Sequence, residues 1–128
     1  MSPELDDALC ARYPLIFVDR HGDPAITAMC WGFEVGDGWF ALIDVLSREL
    51  QRETDEQDAP QVVAEQVKSK GGSLRFHVRA ASDRQRAMLD FAQAISRNIC
   101  EACGTMSPAN ERQLVGSTIG CPGCRGDQ

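Results

Sequence analysis

Apolar positions recur with a helical period in three stretches of the chain and alternate in one, with runs rich in glycine, proline or acids between them. In residues 3–12, Leu5 and Leu9 fall on one helical face with Tyr13 next along it. Ser2 stands where a cap would, and Pro3 suits the first helical position. Pro14 ends that helix, and the unbroken apolar run 15–18 reads as a buried strand. Glycine and proline mark 19–24 as a loop, and the weak alternation of 25–36 reads as a short extended segment. Apolar residues at 39, 42, 43, 46 and 50 restore the helical period. They predict an amphipathic helix ending near Glu53, capped by Asp37 and anchored in the core by Trp39 and Phe40. Residues 53–60 carry four acids and no apolar side chain larger than that of alanine or proline, and read as a flexible acidic linker.

Residues 61–68 and 73–79 form a hairpin pattern around the turn 69–72, whose glycines supply positive φ. On the second strand Leu74, Phe76 and Val78 share one face, and Arg75, His77 and Arg79 share the other. A last helix is expected over 83–99, with Ser82 and Gln85 in capping-box positions and Met88, Phe91, Ala92, Ile95 and Ile99 as its buried stripe. The fold class is therefore α+β: three helices, one hairpin and a short extended segment in a domain over 1–99, followed without a spacer by a small element over 100–128.

Cysteine spacing gives that last element its character. Cys100-Glu-Ala-Cys103 and Cys121-Pro-Gly-Cys124 form a C-x2-C-x17-C-x2-C pattern, inside the window of a four-thiolate zinc site. Each pair can wrap a metal as a knuckle, and Gly104 and Gly123 suit the tight turns that bring backbone N–H groups to the sulfurs. The pattern implies one structural Zn2+ on Cys100, Cys103, Cys121 and Cys124, with 113–115 and 117–119 as the tiny strands of a zinc-ribbon-like unit. Rubredoxin-type iron and a redox pair at Cys121 and Cys124 are the rivals. The redox reading wants its CxxC at a helix N-terminus, whereas the first pair here follows a helix. Cys10 and Cys30 fall outside the pattern and read as buried thiols.

Four thiolates leave no open coordination position, so the metal implies no chemistry. Asp19, His21 and Asp23 near Trp31 are the one polar constellation elsewhere, and no nucleophile–base spacing supports catalysis there. The chain reads as non-enzymatic, with no small-molecule substrate. Charge adds an asymmetry beneath the net −6: residues 1–60 carry thirteen acids and four bases, residues 61–128 six acids and nine bases. Lys68, Lys70, Arg75, His77, Arg79, Arg84 and Arg86 form a basic strip suited to a partner surface. The first residues lack a signal-peptide pattern, and no apolar run approaches the roughly 20 residues that cross a bilayer. Six cysteines without an export signal point to a reducing cytoplasm.

Three blocks together resemble a family of small proteins encoded by bacteriophages and prophages. They are residues 29–46 (with Gly36-Asp-Gly-Trp39 and Leu42-Ile-Asp44), 66–76 (Gln66-Val-Lys68 to Leu74-Arg-Phe76) and 100–104 (Cys100-Glu-Ala-Cys-Gly104). The family pattern runs GDGW…LID…L, QVKEKFGxLRF and CExCG in the same order. This chain departs from it at Gly71, where the family tends to have phenylalanine. The resemblance implies a phage-related origin and a bacterial host cytoplasm, and brings no catalytic residues with it. Taken together, the expectation is a zinc-binding protein that docks a macromolecular partner, foremost a host or phage protein, in a regulatory or anti-defence role. The alternative is nucleic-acid binding through the strip 68–86.

Overall fold

The computed structural model of the chain describes residues 1–107, 113–115 and 118–121, with the backbone alone for 113–115 and 118–120. The elements run α1 (Pro3–Arg12), β1 (Phe33–Glu34), α2 (Phe40–Gln57), β2 (Val63–Lys70), β3 (Ser73–Arg79), α3 (Asp83–Ser96), β4 (Gln113–Val115) and β5 (Thr118–Gly120). Strands β1, β2 and β3 form a mixed sheet in that order, β1 parallel and β3 antiparallel to β2, and β4 pairs with β5 in a second small sheet. Three helices on a three-stranded mixed sheet make the α+β class expected from the pattern. Among the described residues, no helix is long and apolar enough to cross a membrane.

Helix α1 starts as its sequence dictates, with Pro3 in the first turn and the Ser2 hydroxyl accepting the Leu5 N–H. The run 15–18 is not a strand. The N–H of Phe17 returns to the Tyr13 carbonyl and that of Arg20 to the Phe17 carbonyl, so the segment coils. Ile16 and Phe17 turn into the core while Leu15 and Val18 stay more than half exposed. Asp37 does not cap α2 either. Its carboxylate accepts the Ser2 N–H at 2.7 Å, and a 3-10 turn over Asp37–Trp39 leads into the helix at Phe40.

The acidic stretch 53–60 is not a linker over most of its length, because α2 runs on to Gln57 and stops at Asp58 in a left-handed conformation. Charge at helical spacing holds it, with Arg52 3.2 Å from Glu49 and 3.7 Å from Glu56. Buried Gln85 does more. Its side-chain amide donates to the Leu50 carbonyl and the Thr54 hydroxyl, both at 3.1 Å, while its side-chain oxygen accepts the Ser82 N–H in the expected capping box. Helix α3 ends at Ser96, short of residue 99. There the hydroxyl is committed to β3 by accepting the Leu74 N–H at 2.8 Å, and the next N–H groups bond three residues back in a tightening turn.

In the hairpin, Gly71 and Gly72 both take positive φ and form the two-residue turn between Lys70 and Ser73. The register slips by one between Ala64 and Gln66. That bulge keeps Val62, Ala64 and Val67 on the core side although the sequence breaks strict alternation between 64 and 67. The core gathers Leu9, Ile16, Met29, Trp39, Ile43, Leu50, Val67 and Leu74, all essentially without exposure.

Two outcomes test this packing. Gln85→Ala removes the two hydrogen bonds that tie α3 to the Leu50 carbonyl and the Thr54 hydroxyl, and should cost about 1–2 kcal/mol in urea unfolding. Tyr13, the chain's one tyrosine, donates to the Asp44 carboxylate at 2.7 Å. Burial first, then the bond to Asp44 and its charge, push the phenol up to about 12. A raised folded-state value favours folding fully below the phenol's ordinary 10, and that contribution is lost as pH rises through 12. Ultraviolet titration should therefore find the phenolate midpoint near 12, and Asp44→Asn should bring it down toward 10.

Candidate metal centre

Residues 98–107 fold back on themselves and carry the first knuckle at their tip. The Ser107 N–H reaches the Asn98 carbonyl at 2.7 Å, the Cys100 N–H reaches the Thr105 carbonyl at 2.9 Å, and Ile99 bridges Met106. Gly104 closes the knuckle at φ +82, where only glycine is unstrained, with its N–H on the Cys100 carbonyl at 2.8 Å. Strands β4 and β5 pair antiparallel, and Cys121 follows directly after β5.

The ligand atoms of Cys100, Cys103 and Cys121 all lie within 4.8 Å of one another. Cys103 Sγ and Cys121 Sγ are 3.6 Å apart, far beyond the roughly 2.05 Å of a disulfide. A tetrahedral site with metal–sulfur bonds of about 2.3 Å has sulfur–sulfur edges of about 3.8 Å. Cys100 and Cys121 are buried, whereas Cys103 is exposed. Burial alone would raise the Cys100 thiol. The backbone N–H groups of Cys103, Cys121 and Ala102 outweigh it and lower the value, with the Cys121 N–H 3.3 Å from the sulfur. N–H groups aimed at a buried sulfur suit a thiolate ligand, so the donor set fits a thiophilic metal such as zinc. Cys124, the fourth expected ligand, lies outside the described residues.

What the spacing did not announce is how this knuckle joins the fold. Glu101, between the first two cysteines, is only 2% exposed. One carboxylate oxygen accepts the Ser69 hydroxyl at 2.6 Å, the other the Gly36 N–H at 3.0 Å, and its backbone carbonyl accepts the Gly38 N–H at 2.7 Å. Trp39, fully buried, donates its indole N–H to the Ile99 carbonyl at 2.9 Å. Both glycines are required by this approach: a Cβ on Gly36 would strike the Glu101 carbonyl, and one on Gly38 would strike the Cys100 carbonyl and sit 2.6 Å from the Gly104 nitrogen. No local pattern pairs these residues, since Gly36 and Glu101 lie 65 positions apart and Ser69 and Glu101 32 apart.

The basic strip is divided rather than continuous. Lys68 and Arg75 are directly opposite on β2 and β3, with exposed His77 on the same face, and Lys70 is exposed at the turn. Arg79 pairs with Asp19 at 2.9 Å and Arg84 with Glu53 at 3.2 Å, and Arg86 is exposed on α3. The Asp19–Asp23 loop is engaged structurally, with Asp23 accepting the Ala25 N–H. Trp31 is 67% exposed. Cys10 and Cys30 are half-buried rather than buried. Comparison with protein-family models, with curated proteins and with solved structures finds no match, so the phage-family likeness has no counterpart there.

Glu101→Gln places an amide where two donors converge, and Gly38→Ala forces the knuckle backbone away. Each should weaken zinc binding by about 10–100-fold in competition with a chromophoric chelator, as loss of an outer-shell partner does. Gly71→Ala, whose added methyl meets nothing within 4 Å, should leave metal affinity unchanged.

Proposed function

We propose that the cluster holds one structural zinc ion and that the chain is a non-enzymatic protein that binds a macromolecular partner, with a protein favoured. The observation that carries the metal reading is the convergence of three sulfurs within 4.8 Å around a Cys100 sulfur supplied with backbone N–H groups. Cys124 completes the set as the fourth ligand, and a closed set of four thiolates leaves the ion no place for substrate or water. Its role is to fix the first cysteine knuckle against the start of α2 and the hairpin, through Glu101. A reducing cytoplasm is the setting in which such thiolates persist. A phage-related origin rests on the likeness of the three sequence blocks alone.

A protein partner is favoured over nucleic acid by the state of the strip. Arg79 and Arg84 are neutralised by carboxylates, and a chain of net −6 gains little from phosphate neutralisation. The cations left for a partner are Lys68, Lys70, Arg75 and Arg86, with His77 beside them.

Freshly reduced protein should contain one zinc per chain by elemental analysis. Stripping it with a chelator should speed hydrogen exchange at the Gly36 and Gly38 amides, which bond to Glu101, while the hairpin amides keep their protection. Metal-free protein with those two amides equally protected would overturn the structural role. A salt-dependent affinity for DNA or RNA whose slope falls on neutralising Lys68, Lys70 and Arg75 would favour the nucleic-acid alternative.

A further inference from the structure

Away from the cysteines, a groove of about 680 Å3 lies beside β3. Leu74, Phe76 and Val78 line it from the strand, and Arg86, Leu89 and Asp90 wall it from α3. Among the described residues β3 is an edge of the sheet, with β2 as its neighbour. In a hairpin closed by a two-residue turn, the pair flanking the turn exchanges both of its hydrogen bonds, and every second pair after it does the same. Ser73, Arg75 and His77, opposite Lys70, Lys68 and Gln66, therefore turn their N–H and C=O groups toward β2. Leu74, Phe76 and Val78 turn theirs outward.

Two hydrogen bonds agree with that parity. The Leu74 N–H leaves the sheet for the Ser96 hydroxyl on α3. Ala64, opposite Val78, sends its N–H away from β3 to the Ile16 carbonyl at 2.8 Å. The outward backbone groups of Phe76 and Val78 have no hydrogen-bond partner among the described residues. Two consecutive outward positions, about 7 Å apart along the strand, open beside this groove, whose lining mixes polar and apolar side chains.

We infer that this groove takes an extended peptide segment of a partner protein, added to β3 as a fourth strand. Backbone groups with that parity are met by a strand, which supplies a donor and an acceptor at each outward residue. Alternate side chains of the added segment would lie against Phe76, Val78 and Leu89, where Ile26, 75% exposed, forms part of the opposite rim. At the groove Arg86 stands against two carboxylates, Glu65 and Asp90, so a peptide without acidic side chains fits where a polyphosphate chain would be repelled. The site depends on neither the zinc reading nor the face of Lys68 and Arg75.

The test uses the full chain, metal-loaded, against an array of N-acetylated, C-amidated hexapeptides carrying valine at every second position and varied residues between. The best binder should slow hydrogen exchange at the Phe76 and Val78 amides by about tenfold or more, while Arg75 and His77 are protected with or without it. N-methylation of the peptide amides that donate to β3 should weaken binding by about tenfold, as loss of a hydrogen bond of that strength does. Asp90→Trp, a change at an exposed position on the groove wall, should abolish binding with the melting temperature unchanged. No binder in the array at millimolar peptide would overturn the proposal. So would binding that leaves Phe76 and Val78 unprotected, or protection of the same amides by self-association of the protein alone.

Discussion

The Glu101 carboxyl group sits almost wholly out of water, and each of its oxygens accepts one hydrogen bond, from the Ser69 hydroxyl and from the Gly36 N–H. A carboxylate moved from water into a protein interior costs several kcal/mol unless hydrogen bonds replace its hydration. The donors come from two distant stretches, so the cost is met only when the 36–39 turn, the hairpin and the first cysteine knuckle are all in place. The Glu101 backbone carbonyl adds the Gly38 N–H and brings main chain against main chain, which is why both flanking residues lack a side chain. One residue thereby requires three segments of the chain to meet.

This joint changes what a metal at the cysteines can do. The Cys100 sulfur is met by N–H groups of Ala102 and Cys103, residues of the same short loop that Glu101 anchors. Fixing that loop from the core side orients those N–H groups before any ion arrives, and an ion in turn holds the loop where Glu101 can find its donors. Linkage makes the two effects reciprocal. From the loop the coupling continues through the Trp39 indole to the Ile99 carbonyl, and Trp39 immediately precedes α2. The cysteine cluster thus bears on the position of the longest helix described, not only on the chain end that contains it.

Periodicity made the helices and the hairpin legible, because burial of one face is written into spacing wherever that face is continuous. It failed where hydrogen bonds rather than apolar area decide the conformation. Residues 15–18 are all apolar, yet backbone bonds to Tyr13 and Phe17 coil them and leave two of the four exposed. Residues 53–57 have no apolar face and remain helical because a buried amide, Gln85, reaches across from α3 to the preceding turn. Gln85 was readable as half of a capping box, but its second use lies 31 and 35 residues away in sequence, a distance no local pattern registers. The convergence of Cys100, Cys103 and Cys121 was legible from spacing alone. Glu101 was not, since a charged residue between two ligands has the look of solvent-facing surface until its donors are known.

The division of charge along the sequence has a physical counterpart in the fold. The acidic first half and the basic second half meet in ion pairs, Asp19 with Arg79 and Glu53 with Arg84, which close the sheet and α3 onto the segments that precede them. Such half-exposed pairs add little stability, about 0–1 kcal/mol each. Their larger effect is on what remains visible from outside. Two of the strongest cations of the strip are matched internally, and the remaining cations are divided between the hairpin face and the groove beside α3, where Glu65 and Asp90 counter them. Long-range attraction for a polyanion depends on cations acting over one continuous surface, and the fold has broken that surface up. Among the described residues it leaves instead a strand edge, β3, whose outward backbone groups are neutral and directional.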